Sequence, residues 1–311
     1  MKCVVIGGSG FIGSHVVQAL KKAGHDVTNI DLTPSPFADR QFNVDLRDGA
    51  TLEPLLKKYG TNGVYHVAAI ADARRALEKP VEAVDINIKG TVTVLEAARK
   101  AEVERVFLSS TVWVYNAVDQ KTTSPQILED EPILMSGGGH VYTTTKIAAE
   151  LLCHDFHKLY GLNFTIFRYG IPFGPRMWPG LALRTFLDNG FTKKPIRIFG
   201  DGSAVRRFIY VEDLAQAHAL ALQHDQSKGQ TYNLEGDRAV TIKELAETVA
   251  EFVKNVKIEY VIDPSRRGEM KVEREISNAK AKKELGWKPS ITLKEGVRRV
   301  VEWYKKEYGY D

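Results

Sequence analysis

The sequence predicts an α/β protein built on a Rossmann-type, doubly wound parallel sheet with a smaller mixed α/β domain toward the carboxyl terminus. Apolar strand-like segments alternate with amphipathic helical segments through the first half of the chain, as a parallel sheet with right-handed crossovers requires. The first strand runs into a glycine cluster that opens a helix. After about residue 170, prolines interrupt the alternation. We therefore predict an NAD-binding domain over 1–169, to which parts of 200–230 return, and a mainly substrate-binding domain over 170–311.

The glycine cluster reads Gly-Gly-Ser-Gly-Phe-Ile-Gly over residues 7–13 and follows the apolar strand 4–6. Gly7 permits the turn, Gly10 lets the backbone approach a pyrophosphate, and Gly13 lets the helix pack closely on the strand. The amino terminus of that helix then faces the phosphates. Since the G-x-x-G-x-x-G spacing is looser than that of many dehydrogenases, an ordinary glycine turn is the alternative.

The second strand, residues 26–31, ends at Asp31, about 20 residues beyond the glycine turn, where a carboxylate takes the ribose hydroxyls of NAD. Leu32 and Thr33 follow, with no adjacent arginine to hold a 2′-phosphate. The pattern therefore favours NAD over NADP. The alternative for Asp31 is a solvated strand end.

Further strands are predicted at 41–45, 64–69 and 106–110, with helices at 52–59 and 80–100 between them. His66, alone, is typical of a packed core histidine rather than a catalyst. A ligand should sit at the carboxyl ends of the strands. Ser109, Ser110 and Thr111 fall at such an end, where their hydroxyls would either reach a ligand or serve as turn and cap residues.

The periodicity disappears from Asn116 to Val141, which predicts an irregular loop of the length that is often functional. Tyr142 then opens a helix to about Tyr160, with Lys146 one turn later on the same face. In isolation such a pair occurs by chance on many helices. A strand at 163–168, short strands at 197–199 and 208–211, and helices at 214–223, 242–253 and 294–305 complete the prediction.

Composition narrows the class of function. The chain has 311 residues, 43% of them hydrophobic, and a net charge of +4 from 43 basic and 39 acidic residues without a long basic run. A disordered protein is excluded, and we expect no nucleic-acid partner. The only cysteines, Cys3 and Cys153, are expected to be buried thiols in a reducing compartment. No apolar run approaches the roughly 20 residues that span a bilayer, and Met1 leads directly into a strand, so we expect a cytoplasmic protein without membrane contact.

Together these motifs resemble the extended short-chain dehydrogenase/reductase superfamily, and within it the NAD-dependent nucleotide-sugar epimerases and dehydratases, most closely the UDP-glucose (UDP-galactose) 4-epimerases. The resemblance spans essentially the whole chain. It rests on the shared order of the glycine turn, Asp31, Asp45-Leu46, the His-Val-Ala-Ala segment at 66–69, residues 87–91, 109–111, 142–146 and 200–203, Arg-Arg-Gly-Glu at 266–269, and Glu-Leu-Gly-Trp-Lys-Pro at 284–289.

The resemblance implies a catalytic triad of Thr111, Tyr142 and Lys146, with NAD as cofactor and no metal. It places Phe199 near the base of the substrate, and Arg206 and Arg266 on its diphosphate, so that Thr111, Tyr142, Phe199, Arg206 and Arg266 form the substrate site. It also implies a homodimer formed through helices at roughly 90–103 and 142–160. The implied cofactor-binding residues are Gly7, Gly10, Phe11, Ile12, Gly13, Asp31, Asp45, Leu46, Ala68, Ala69, Asn87, Ser109, Tyr142, Lys146 and Tyr169.

Several positions depart from the family pattern. Ile171 stands where a diphosphate-contacting Asn is usual, Asn116 where Gly is usual, and Arg207 where Asp is frequent, and a glycine triplet at 137–139 precedes the helix. These departures bear on which sugar is bound and on the geometry of the loop, and not on the type of reaction.

Val112 and Trp113 bear on the reaction itself. Related dehydratases carry an Asp-Glu pair directly after the triad Thr, and related decarboxylases use a Glu in the same segment. Val112 and Trp113 cannot move protons. We therefore expect C4 epimerisation of a nucleoside-diphosphate sugar, with UDP favoured. The alternatives are a reductase or dehydratase on the same scaffold and a non-catalytic dinucleotide-binding sensor.

Overall fold

The computed structural model describes residues 1–119, 121, 124–135, 138–262 and 274–310. Within them the strands are β1 (Lys2–Ile6), β2 (Asp26–Ile30), β3 (Arg40–Phe42), β4 (Gly63–His66), β5 (Arg105–Thr111), β6 (Gln126–Ile127), β7 (Asn163–Tyr169), β8 (Ile171–Phe173), β9 (Ile196–Phe199), β10 (Val205–Arg206), β11 (Phe208–Tyr210), β12 (Gln230–Leu234), β13 (Val240–Thr241), β14 (Ile258–Val261) and β15 (Glu275–Ile276). The helices are α1 (Phe11–Lys22), α2 (Gly49–Tyr59), α3 (Ala73–Glu78), α4 (Pro80–Val84), α5 (Gly90–Lys100), α6 (Val141–Tyr160), α7 (Ala182–Phe191), α8 (Val211–Gln223), α9 (Ile242–Phe252), α10 (Ala279–Leu285) and α11 (Leu293–Tyr308).

Seven strands form one parallel sheet in the order β3-β2-β1-β4-β5-β7-β12. From β1 the chain runs outward to β3, returns to β4 on the other side of β1, and runs outward again. The strand order therefore reverses between β1 and β4, and doubly wound sheets bind their ligands at the carboxyl ends of strands at such a reversal. The predicted fold class is confirmed.

Both faces of this sheet are buried, which explains why its strands read as nearly continuous apolar runs. On one face, Ile6 and Leu108 belong to a cluster that includes Leu52 of α2 and Val94 of α5. On the other face, aromatic rings stack across neighbouring strands. The ring centroids of Tyr65 and Phe107 are 4.3 Å apart, and those of Phe107 and Phe167 are 6.3 Å apart.

The chain divides into two compact units, Met1–Tyr169 with Ala215–Leu234 and Val272–Trp287, and Gly170–Leu214 with Glu235–Lys271 and Lys288–Asp311. The first contains the seven-stranded sheet. The second contains the short strand pairs β8–β11, β9–β14 and β10–β13 together with α7, α9 and α11. Within the second unit, the Asp213 carboxylate accepts hydrogen bonds from the backbone N–H groups of Ser290 and Ile291 at 3.0 and 2.8 Å.

Several element boundaries differ from the prediction. The fourth strand ends at His66 rather than at 69, because the N–H groups of Val67 and Ala68 both turn back to the carbonyl of Ile6, at 3.0 and 2.9 Å. The third strand covers only Arg40–Phe42. The predicted helix 80–100 contains a π-helical turn, Asp85–Lys89, between α4 and α5. The pattern also missed β12 and α7, and the predicted loop 116–141 contains the short strand β6, which pairs with β15.

Both cysteines are buried and unpaired, as expected. In the part of the chain that the structure describes, no helix has the length and apolar character needed to cross a bilayer.

Candidate active site

In the glycine loop between β1 and α1, Gly7 and Gly13 stand where the structure requires glycine. Gly7 has φ of +92°, and a Cβ there would lie 2.5 Å from the backbone nitrogen of Ala68. A Cβ on Gly13 would lie 2.0 Å from the carbonyl oxygen of Gly7, so only glycine lets α1 pack this closely on the loop. At Gly10, by contrast, the nearest atom is the same carbonyl oxygen at 3.4 Å, and α1 begins there without a side-chain cap. Phe11 and Ile12 form the first turn of the helix. The space before this turn is a cradle that suits a pyrophosphate.

Asp31 lies directly after β2 and beside this loop. Its Oδ2 accepts a hydrogen bond from the backbone N–H of Ser9 at 3.0 Å, and its Oδ1 accepts one from the backbone N–H of Thr33, also at 3.0 Å. Carboxylate oxygens each accept two hydrogen bonds, so the group retains capacity for a ribose hydroxyl. The loop and Asp31 therefore fit the two ends of an ADP moiety, and the residues present suit NAD.

Asp45 and Leu46 follow β3 and have partners within the protein. Asp45 Oδ1 accepts hydrogen bonds from the backbone N–H and the Nε of Arg47, both at 2.9 Å, and Oδ2 accepts one from Nη2 at 2.6 Å. The guanidinium holds the pKa of the Asp45 carboxyl below its usual range. Leu46 packs on the start of α5, since a Cβ on Gly90 would lie 1.9 Å from its Cδ1. Contacts of Asp45 and Leu46 with adenosine stay predictions.

Asn87 is placed by the π-helical turn, a feature that often marks functional sites. Its Oδ1 accepts the backbone N–H of Ile70 at 2.8 Å, and its Nδ2 donates to the carbonyl of Ile70 and to Thr145 Oγ1, both at 3.0 Å. The side chain therefore ties the segment after the half-buried Ala68 and Ala69 to α6. Within the structure Asn87 connects two segments of the protein by hydrogen bonds. Its direct contact with the cofactor stays a prediction.

Thr111 and Tyr142 are brought together by the end of β5 and the first turn of α6. The Thr111 side chain interacts with the Tyr142 phenol and acts to lower its pKa. Thr111 Oγ1 accepts the backbone N–H of Trp113 at 3.2 Å, so the Thr111 hydroxyl proton is available to donate to the phenol oxygen. A donor to that oxygen stabilises the phenolate.

Lys146 lies one turn further along α6 and is buried. Its Nζ donates to the backbone carbonyl of Ser109 at 2.8 Å. The hydroxyl of Ser109 lies 2.7 Å from that of Tyr169 on β7, which in turn lies 2.6 Å from His218 Nε2. The carboxyl ends of β5 and β7 therefore gather Ser109, Thr111 and Tyr169 near Tyr142 and Lys146 of α6.

The protein alone does not make Tyr142 acidic. Burial raises the pKa of the Tyr142 phenol to about 12, and the hydrogen bond from Thr111 opposes this rise only in part. Burial also lowers the pKa of the Lys146 ammonium to about 8, against the raising effect of the Glu150 carboxylate. Within the protein, burial therefore outweighs the lowering effect of Thr111 on the Tyr142 pKa.

Two further features were missed by sequence reasoning. Behind the triad, Glu150 and Arg168 form a buried ion pair at 2.7 Å, and Ser110 donates its hydroxyl to Glu150 Oε1. The sequence held a signal for Glu150, which follows Lys146 at helical spacing, but nothing local marked Arg168 as its partner.

The second missed feature is an aromatic group around Tyr142. Trp113 meets His140 and Tyr142 edge to face, with ring centroids 5.0 and 6.1 Å away. His140 caps α6: its Nδ1 accepts the backbone N–H of Thr143 at 3.3 Å, and its Nε2 lies 3.3 Å from Thr143 Oγ1. Both ring nitrogens of His140 are therefore engaged at the helix terminus.

The predicted substrate contacts belong to the second unit or lie outside the described residues. Phe199 ends β9 and is 42% exposed. Arg206 lies in β10, and its Nη1 donates to the carbonyl of Val205 at 2.8 Å. Ile171, which replaces the usual Asn, begins β8 and pairs with Phe208 of β11. Arg266 and Gly137 lie outside the described residues.

Comparison with known proteins places these features in a family. The model of the NAD-dependent epimerase/dehydratase family matches residues 3–234. The chain is 31% identical to a UDP-glucuronate 4-epimerase of Thermodesulfobacterium geofontis, over 97% of this chain and 96% of that protein. It is 34% identical to a putative UDP-glucose 4-epimerase of Methanocaldococcus jannaschii, over 97% and 98%. The structure resembles that of the UDP-glucose 4-epimerase of Thermotoga maritima with UDP-glucose, with a TM-score of 0.86, 28% identity and coverage of 99% of each chain.

Proposed function

Because the chain belongs to the NAD-dependent epimerase/dehydratase family, we propose that it inverts the configuration at C4 of a nucleoside-diphosphate sugar through a transient 4-keto intermediate. The observation that carries this proposal is the arrangement at the end of β5, where Thr111 interacts with Tyr142, Lys146 is held by the Ser109 carbonyl one helical turn further along α6, and Trp113 packs against the Tyr142 ring. NAD is the cofactor of this family.

Tyr142 is the base that takes the proton of the sugar 4-hydroxyl. The Thr111 hydroxyl donates to the phenol oxygen and so favours the phenolate, while the buried ammonium of Lys146 supplies positive charge one helical turn away. When held by the glycine loop and Asp31, NAD would supply the hydride acceptor for C4 and a positive charge near Tyr142. Depressing the pKa of Tyr142 from about 12 toward neutrality requires this added charge, because the protein alone holds it high.

Epimerisation rather than dehydration or decarboxylation is favoured by the groups beside Tyr142. Val112 is a buried hydrocarbon, and Trp113 presents an indole edge to the Tyr142 ring. The His140 ring stacks on that of Tyr142 with centroids 6.1 Å apart, but both of its nitrogens are engaged in capping α6. With no second acid or base among these groups, the ketone is reduced again, on the opposite face after the sugar rotates.

UDP is the favoured nucleotide, and a hexose the favoured sugar. The relatives above are named for UDP-glucose and UDP-glucuronate. In this chain, the exposed ring of Phe199 suits stacking on a base, and the guanidinium of Arg206 suits a diphosphate oxygen. Incubating the pure protein with UDP-, dTDP- and GDP-sugars, glucuronate included, and identifying products by NMR tests the assignment. Turnover of a dTDP- or GDP-sugar alone would overturn the choice of UDP.

A homodimer through α5 and α6 is the proposed assembly. Both helices leave apolar side chains exposed on the first unit: Val92 is 36% exposed, Leu151 57% and Leu159 67%. Exposed apolar surface of this kind marks interaction sites. Leu151→Lys with Leu159→Lys should shift the molecular mass in solution from dimer to monomer, and a wild-type monomer at micromolar concentration would contradict the proposal. We also propose a cytoplasmic location, which the two unpaired, buried thiols support.

A further inference from the structure

Lys146 and Glu150 are opposite charges buried on one face of α6. They are four residues apart, the spacing at which helical side chains are neighbours, and each is only 6% exposed. Burying one charge in this way is costly unless it is paired.

Two adjacent residues of β5 connect these groups. The backbone carbonyl of Ser109 accepts the hydrogen bond from Lys146 Nζ at 2.8 Å, and the hydroxyl of Ser110 donates to Glu150 Oε1. A displacement of Glu150 would therefore move the strand segment that holds Lys146 and that ends at Thr111.

Arg168 fixes Glu150 from the neighbouring strand. Its Nη2 donates to Oε2 at 2.7 Å, and its Nε lies 3.1 and 3.2 Å from the two carboxylate oxygens. Its Nη1 donates to the Tyr115 hydroxyl at 2.8 Å and to the carbonyl of Glu129 at 2.9 Å. Buried ion pairs are often no more stabilising than apolar residues of the same size, so a pair this fully satisfied suggests a purpose other than stability.

The charged and titratable groups recorded around Lys146 come from several elements. Tyr142 and Glu150 share α6 with it, and His66 acts on it from β4. The Ser109 carbonyl of β5 accepts its hydrogen bond, and Arg168 of β7 pairs with Glu150. Burial and the ammonium lower the pKa of His66 to about 3, so His66 is neutral at pH 7. Among the described residues of this set, Glu150 is the anion.

We propose that Glu150 is a positioning residue whose carboxylate, held by Arg168 and Ser110, is the counter-charge that keeps Lys146 an ammonium against the carbonyl of Ser109. The effect of Glu150 on catalysis rests on the proposed function, because that function needs the ammonium beside Tyr142. The effect of the Glu150 charge on the protonation of Lys146 does not rest on it. It agrees with the direction in which Glu150 acts on the pKa of Lys146, which is upward against burial.

The direct test measures the protonation of Lys146 by NMR of protein labelled with ¹³C at lysine Cε, with the resonance assigned by its loss in Lys146→Met. Replacing Glu150 by Gln removes the counter-charge and should lower the pKa of Lys146 by about one unit or more. Glu150→Asp keeps the charge and should retain most of the wild-type value. An unchanged pKa in a folded Glu150→Gln protein would overturn the proposal.

Glu150→Gln leaves Arg168 buried without its partner, which is strongly destabilising, and the double variant Glu150→Gln, Arg168→Met removes this penalty. Its Lys146 pKa should again lie below that of the wild type, and an equal or higher value would overturn the proposal. Arg105→Leu is the matched control. Arg105 is also fully buried, but it lies at the amino end of β5, the strand whose carboxyl end carries Ser109 and Ser110. Arg105→Leu should reduce stability without changing the pKa of Lys146. If it lowered that pKa as much as the Glu150 variants do, general destabilisation would explain their effect, and the proposal would be overturned.

Activity supplies the second readout. With the Lys146 pKa lowered, the ammonium is lost nearer to neutrality, so kcat of a Glu150 variant should decline at a lower pH on the alkaline side than that of the wild type. Activity at pH 6 should be affected least. A uniform loss at every pH would contradict the role of Glu150 as counter-charge. If the wild type turned over no nucleotide sugar while the NMR titration still shifted, the proposed function would fail and the charge relationship would stand.

Discussion

The ammonium of Lys146 lies 2.8 Å from the backbone carbonyl of Ser109, and this hydrogen bond joins α6 to the carboxyl end of β5. Two residues further along that strand, Thr111 interacts with Tyr142 at the start of the same helix and acts to lower its pKa. One strand end and one helix therefore set the three groups of the proposed triad together.

Replacing Tyr142 by Phe removes the proposed base but keeps the ring that packs against Trp113. Turnover should fall by about 10²- to 10⁴-fold, the range that general-base catalysis contributes. The thermal midpoint and the bound NAD content should stay near those of the wild type. Tyr59→Phe on α2 is the control and should retain full turnover. A Tyr142→Phe protein with near-normal kcat would eliminate Tyr142 as the base.

Asp31→Asn tests cofactor choice while preserving the shape of the side chain. The carboxylate should repel a 2′-phosphate and accept ribose hydroxyls, so the wild type should bind NAD more tightly than NADP. The preference should shrink in Asp31→Asn because the charge is lost while the amide oxygen can still accept the N–H of Ser9. Calorimetric titration with both nucleotides measures the two affinities. Equal wild-type affinities would rule out this role.

Arg206 is predicted to contact the substrate diphosphate through its forked guanidinium, so lysine should be a poor replacement. Arg206→Lys and Arg206→Ala should both raise KM for a UDP-sugar, by about tenfold or more if one charged hydrogen bond is lost. Arg197→Ala is the control, since Arg197 is an exposed arginine on β9, the strand that precedes β10 in the chain. If all three variants keep the wild-type KM and kcat, Arg206 is an ordinary surface residue. Arg266 carries the same prediction and can be tested in parallel.

His66 should make the protein less stable in acid. Its pKa is lowered to about 3 by burial, below the ordinary value of 6.5, so the unfolded chain binds a proton that the folded chain rejects. This contribution to stability is complete above pH 6.5 and is lost as the pH falls from there toward 3. At most it adds about 1.4 kcal/mol per pH unit to the slope of the unfolding free energy.

His66→Gln tests this contribution. Glutamine can still donate to Thr91 Oγ1, the partner of His66 Nε2 at 2.9 Å, but it does not titrate. Urea unfolding at pH 6.5, 5.5 and 4.5 should therefore give a shallower loss of stability in the variant than in the wild type. Equal slopes would mean that His66 is protonated as readily in the folded protein as in the unfolded chain.

The sequence was sufficient to predict six of the seven strands of the sheet and the local segments that carry the candidate site residues. The glycine turn, Asp31 and the pair Tyr142 and Lys146 lie within single strand-turn-helix or helical segments, where spacing alone fixes geometry. The strand β12 was missed because its pairing with β7 depends on a chain segment that returns from more than 60 residues away.

The charge environment could not be read from the sequence for a similar reason. Arg168 meets Glu150 only because β7 pairs beside β5, placing Arg168 in register with Ser110. The pKa of Tyr142 depends on how completely the ring is buried, and burial comes from packing that no local pattern encodes. The π-helical turn at Asn87 likewise has no signature in the apolar periodicity of 80–100.

Isotope tracing with UDP-glucose deuterated at C4 tests the central claim most directly. If hydride leaves C4 and returns to it within one active site, NMR should show UDP-galactose with deuterium retained at C4. Absorbance at 340 nm should show no net NADH, and no external reductant should be needed. A 4-keto-6-deoxy sugar, loss of the label to solvent, or one NADH formed per sugar would contradict NAD-dependent C4 epimerisation. With UDP-glucuronate as the parallel substrate, the account predicts UDP-galacturonate, and release of carbon dioxide would contradict it.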